Sequence, residues 1–271
     1  MQIIFIEGVS GVGKSTIALK LCEKLRDNGF HVDCYLEFDF TNPIDFYCTA
    51  HFNKDEYNDL LDNHSDFAED IQRYTILAED TRLVRYYNRE TPLFPEPLLD
   101  AFRKHEFCWK PSNPVPVSEY THVYKSVYEQ FVQTKSKHLD YMIFDGSMLH
   151  HPINDMMRNY NASLEQVIHH ICTLIETVNP LRPRVIYLSS ENTAERLQKA
   201  RISRKETAPS IEQIQYWEQR KQVDLAVIQQ LSIPCDVFDV SQENWDSLMG
   251  EIVNRILEQH RNIALEVAVR I

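Results

Sequence analysis

Residues 8–16 read Gly8-Val9-Ser10-Gly11-Val12-Gly13-Lys14-Ser15-Thr16, directly after the apolar run Ile3-Ile4-Phe5-Ile6. No other stretch constrains the fold as strongly. The run has the length and β-branched content of a buried strand, and Ile17, Leu21 and Leu25 recur at intervals of four behind it, which predicts a helix. G-x-x-x-x-G-K-[ST] between a strand and a helix is the spacing of a phosphate-binding loop. Its glycines let the main chain wrap a polyphosphate, and loop N–H groups and the helix N-terminus supply positive charge. On this reading Gly8, Ser10, Gly11, Val12, Gly13, Lys14, Ser15 and Thr16 hold the phosphates of ATP. Lys14 reaches the β- and γ-phosphates and the Ser15 hydroxyl ligates Mg²⁺.

A formal net charge of −12 argues against a nucleic-acid polymer or a membrane surface as partner, since either needs a basic face. The cysteines at 22, 34, 48, 108, 172 and 235 are scattered, with no C-x-x-C pair. They read as reduced thiols of a cytoplasmic protein. No signal peptide is visible, and no stretch approaches the roughly 18 apolar residues of a membrane helix.

Further core strands are expected at residues 31–37, 139–145, 184–189 and 233–239, beside the one at 2–7. Helical patterns separate them, so the expected fold is α/β: three layers, with a five-stranded, mainly parallel sheet between helices. In such a sheet ligands collect at the carboxyl ends of the strands. Residues 38–138 are too long for a simple crossover and are expected to form a helical substrate-binding insertion within a single 1–271 domain. Within it, 64–89 reads as one long helix (Phe67, Ile71, Tyr74, Ala78, Leu83, Tyr87) carrying Arg73, Arg82, Arg85 and Arg89, and 118–135 as another. Asn192 and Glu195 resemble a capping box, opening a helix in the 190–210 region. Helices near 211–231 and 242–260 follow. The tail from Ile263 to Ile271 alternates by twos, as an edge strand would, and with the insertion it is a candidate homodimer contact.

Three groups carry the expected chemistry. Asp145 ends an apolar strand, where it either holds Mg²⁺, directly or through water, or caps the next helix. Glu37 ends the second strand, placed as a general base toward an acceptor hydroxyl or as an ordinary solvated carboxylate. Arg196, Lys199, Arg201, Arg204 and Lys205 form a basic cluster in an acidic chain. It is either a lid that closes over phosphates, with arginine forks on their oxygens, or a solvated face paired to Glu195 and Glu206. The pairs His150-His151 and His169-His170 lack the spacing of a metal site.

The order of phosphate loop, acidic second-strand end, Asp-ended third strand and Arg-rich lid resembles the thymidylate kinase and deoxynucleoside kinase group of P-loop kinases. The resemblance implies ATP, Mg²⁺ and transfer of the γ-phosphoryl group to a small-molecule acceptor, a nucleoside or nucleotide first. It assigns Lys14 and Ser15 to phosphate and metal, Glu37 to the second-strand acid, and Arg196, Arg201 and Arg204 to the lid. Members of the group usually follow the third-strand acid with arginine, where this chain has Gly146. Small P-loop kinases of other metabolites share the same plan, and a P-loop ATPase or nucleotide switch remains the other class.

Overall fold

A computed structural model describes residues 1–88, 90–108, 110–134, 138–242 and 244–269, with the backbone alone at 259, 260 and 262–269. The chain begins with β1 (Gln2–Glu7), the loop 8–13, α1 (Lys14–Asp27) and β2 (Val32–Tyr35). The insertion holds β3 (Thr49–Phe52), α2 (Lys54–Asn63), α3 (Ala68–Arg73), β4 (Thr75–Ala78), β5 (Thr81–Arg85), β6 (Tyr87–Asn88), β7 (Thr91–Pro92), α4 (Glu96–Lys104) and α5 (Val117–Thr134). The core resumes with β8 (Tyr141–Asp145), α6 (His150–Arg158), α7 (Leu164–Val178), β9 (Arg184–Ser189), α8 (Thr193–Ser203), α9 (Ile211–Ile228), β10 (Cys235–Asp239) and α10 (Trp245–Val269).

The main sheet has five strands in the order β10-β9-β1-β8-β2, every neighbouring pair parallel. β1 is central and buried on both faces, so it reads as a continuous apolar run. Ile4 and Ile6 pack with Tyr141, Ile143, Ile186 and Leu188 under α1 and α10. Ile3 and Phe5 turn the other way, with Met142, Phe144, Val185 and Tyr187, against α5, α7 and α9. This alternation makes the three layers. The chain crosses to opposite sides of β1 to reach β8 and β9, so a crevice opens at the carboxyl ends of these three strands. Among the described residues no helix is long and apolar enough to cross a membrane.

The insertion differs from the all-helical expectation. Residues 64–89 are not one helix: α3 gives way to β4 and β5, an antiparallel hairpin, and β3 completes a three-stranded sheet in the order β3-β5-β4. A spacing of four satisfies both a helical and a strand period, so Tyr74/Ala78 and Leu83/Tyr87 could not separate them. The β-branched Thr75, Ile76, Thr81 and Val84 favour the pleated form. Arg82 and Arg85 therefore lie on a strand; Arg89 lies outside the described residues. The alternating tail is likewise helical through Val269, in keeping with its Ala264, Leu265 and Ala268, and residues 270 and 271 are outside the description. At Asn192 the side chain makes no cap bond; the Ser190 hydroxyl instead accepts the Asn192 N–H at 3.1 Å.

Candidate active site

The loop after β1 closes onto α1 through Gly13, whose φ of +94° is left-handed and whose Cα faces the Trp245 ring, 3.0 Å from where a Cβ would sit. A side chain there would be strained and would displace the indole. The α1 N-terminus thus points its free N–H groups into the crevice, a ready anion site. Lys14 is buried along its stem; its Nζ lies 3.4 Å from the Val9 carbonyl and 3.5 Å from His150 Nδ1.

Ser15 and Asp145 meet as the sequence reading expects. The Ser15 hydroxyl donates to Asp145 Oδ2 at 2.5 Å, across the ends of α1 and β8. Asp145 is fully buried and its Oδ1 has no hydrogen-bond partner among the described residues. Burial pushes its carboxyl up, while Lys14 and Ser15 oppose the shift. A hydroxyl beside a carboxylate with one buried, unsatisfied oxygen is an oxygen donor set that fits Mg²⁺. Gly146 follows with φ +70°, and a Cβ there would sit 3.3 Å from His150 Cβ and 3.4 Å from Lys14 Cε. The main chain turns here directly beneath Lys14, which leaves no room for the expected arginine.

Glu37 lies two residues beyond the end of β2, in a turn, and lines the crevice. Its Oε1 is 3.2 Å from His151 Nε2 and 3.8 Å from His150 Nε2. Burial alone would raise the carboxyl, but the His151 hydrogen bond and the charges of His151 and Lys14 together hold it well below the usual range. His151 also reaches Asp45, with Nδ1 3.4 Å from Oδ1. Its neighbour His150 is held neutral by burial and by Lys14, stacks on Trp217 at 5.4 Å and lies 3.0 Å from the Gly8 carbonyl.

The turn from β8 to α6 is fixed from below by Glu7. Its two carboxyl oxygens accept the Met148 and His150 N–H groups at 2.8 Å each. Burial pushes this carboxyl up to about 7, against the backbone donors and Lys14.

The basic cluster divides. Arg196 is buried: it donates to the Val240 carbonyl and lies over Trp245, 5.4 Å from the ring centre, at the edge of the crevice. Arg204 and Lys199 line the crevice from the exposed side of α8. Arg201 is not among the residues lining the crevice; it pairs with Glu206 at 3.1 Å and Gln213 at 2.5 Å. There it ties the end of α8 to the start of α9. Lys199 is also paired with Glu195, at 2.9 Å, as a solvated helix face would be.

The crevice, of about 860 Å³, runs from the phosphate loop past Glu37 to a far end built by the insertion and α6. Phe38, Phe46, Tyr47, Tyr124 and Trp217 give that end flat apolar walls. Asp155 lies at its floor, accepting the Tyr120 hydroxyl at 3.2 Å, and burial pushes its carboxyl up to about 8. Arg158 stands at the rim over the Tyr216 ring, 4.2 Å from its centre. Sequence reasoning missed Glu7, Asp45, His150, His151 and Asp155. Among the described residues no group of three or more His, Cys, Asp and Glu side chains is placed to hold a metal ion. No protein-family model matches the chain, and no curated protein matches it either.

Proposed function

We propose that this chain is an ATP- and Mg²⁺-dependent phosphotransferase, a P-loop kinase similar to the thymidylate kinase and deoxynucleoside kinase group. The observation that carries this reading is the convergence, in one crevice, of Lys14, the Ser15–Asp145 pair with its unsatisfied buried oxygen, and Glu37. ATP phosphates lie on the loop N–H groups and Lys14, which neutralise the charge that spreads over the transferred group. Ser15 and Asp145 hold Mg²⁺, which when bound neutralises charge on the β- and γ-phosphate oxygens. Glu37, ionised at neutral pH, orients the acceptor hydroxyl and takes its proton. Trp245 and Arg196 flank the nucleotide end, and Arg204 closes over it from α8.

The acceptor is a ring-bearing alcohol without a phosphate of its own, a nucleoside first. The aromatic walls suit a planar ring, and the ionised Glu37 would repel a phosphate, with Arg158 at the rim of that end. The test is ADP release by the full-length protein with ATP and Mg²⁺, across nucleosides, nucleoside monophosphates and other small alcohols. Acceptor-dependent turnover with nucleosides, lost in Lys14→Ala, is expected. Acceptor-independent ATP hydrolysis would favour an ATPase or switch instead.

A further inference from the structure

We propose that His151 is the positioning residue of this site, its ring bridging Glu37 and Asp45 so that one Glu37 oxygen is committed and the other is left to the acceptor. The inference rests on the kinase reading above for its catalytic consequence, but the bridge itself does not.

Both nitrogens of the ring face a carboxylate oxygen, Nε2 at 3.2 Å from Glu37 and Nδ1 at 3.4 Å from Asp45. A neutral imidazole donates from one nitrogen only, so filling both contacts requires the doubly protonated ring. The ring is 18% exposed, and Phe38 packs against it at 5.5 Å. Burial on its own would make the ring neutral; the two carboxylates outweigh it and hold its pKa well above the ordinary value.

Asp45 is the fixed end of the bridge. Its side chain accepts the Phe38 N–H at 3.1 Å and the Tyr47 N–H at 3.0 Å. Its loop is gripped again by Arg85, which reaches the carbonyls of Phe40, Asn42 and Asp45. Glu37, by contrast, has one side-chain hydrogen bond among the described residues, the one from His151 to Oε1. His151 therefore transmits the rigidity of the Asp45 loop to the one carboxylate that must be aimed. The titratable neighbours are Lys14 from α1, Asp145 at the end of β8 and neutral His150, which face Glu37, and Asp155, which lies one turn along α6 from His151.

Two measurements test this on the full-length protein. Nitrogen-detected NMR of histidine-labelled protein reads the ring without any need for activity. Both His151 nitrogens are expected to be protonated at pH 8, and Asp45→Asn is expected to lower the titration by at least about one pH unit. A neutral His151 ring at pH 7 overturns the proposal. The second measurement uses the nucleoside that gives the highest turnover. His151→Ala is expected to lower kcat roughly 100-fold with the KM for ATP within about twofold, added imidazole restoring part of the rate. His151→Gln, which keeps one donor, is expected to fall between. Unchanged kcat in a folded variant overturns the proposal. If the wild-type protein turns over no acceptor, the kinase reading fails, while the histidine spectra still decide the bridge.

Discussion

Lys14 and Gly146 lie against each other at the bottom of the crevice, and each makes a distinct prediction. Lys14→Ala removes the buried ammonium of the phosphate loop, and ATP-dependent turnover is expected to fall by at least about 100-fold with an unchanged circular dichroism spectrum. A variant of near wild-type rate would sink the phosphate assignment. Gly146→Ala forces a Cβ into left-handed backbone and toward His150 and Lys14. It is expected to cost about 1–2 kcal/mol in urea denaturation, and an unchanged midpoint would contradict the geometry. Legibility at this scale divides in the same place. Lys14, Ser15 and Asp145 could be read because local rules place them: a loop motif, and an acid at a strand end. Glu37 was found by the same rule although β2 stops two residues earlier. His151 and Asp45 follow no local rule; their two stretches meet only after the sheet has assembled. Arg201 is a mixed case: charge and spacing name it for phosphate, and in the fold it pairs with Glu206 and Gln213.

Among the elements, α9 does most to fix the turn that carries His150 and His151. Arg220 is fully buried there, paired with Asp224 at 2.8 Å, and donates to the Leu149 and His150 carbonyls at 2.8 and 3.2 Å. Asp224 in turn accepts the Tyr187 hydroxyl from β9 at 2.9 Å. Arg220→Met strands a buried carboxylate, and a loss of about 3–5 kcal/mol by chemical denaturation is expected. Removing both charges, as Arg220→Met with Asp224→Leu, is expected to recover part of that loss; a double variant weaker than the single one would refute the charge-pair account. The central strands of the main sheet were legible because burial on both faces imposes unbroken apolar runs, as in Ile3–Ile6 and Tyr141–Phe144. The insertion was not, because β4 and β5 are short and half-buried, and four-residue spacing fits a hairpin as well as a helix.

Across the whole molecule, stability should depend on pH in a way set by its buried carboxyls. Asp155 has a folded pKa of about 8 against an ordinary 3.8, and Glu7 about 7 against 4.5. Between pH 5 and 7 the folded protein keeps the Asp155 proton that the unfolded chain gives up. Stability from this group therefore falls as pH rises, by up to about 1.4 kcal/mol per pH unit. His150 and His170, kept neutral by burial, slope the other way, because the unfolded chain takes up protons there below its ordinary value of 6.5. The wild-type curve alone mixes these opposing slopes, and Glu37 adds nothing in the window, since its lowered pKa matters only below its ordinary 4.5. Comparing Asp155→Asn with wild type cancels the shared groups. From pH 5 to pH 7 the stability difference, followed by urea denaturation, is expected to shift by about 3 kcal/mol in favour of the variant. A difference that stays flat would mean Asp155 is ionised in the folded protein. The floor of the crevice would then present a charge to the acceptor, where a protonated carboxyl presents a hydrogen-bond donor.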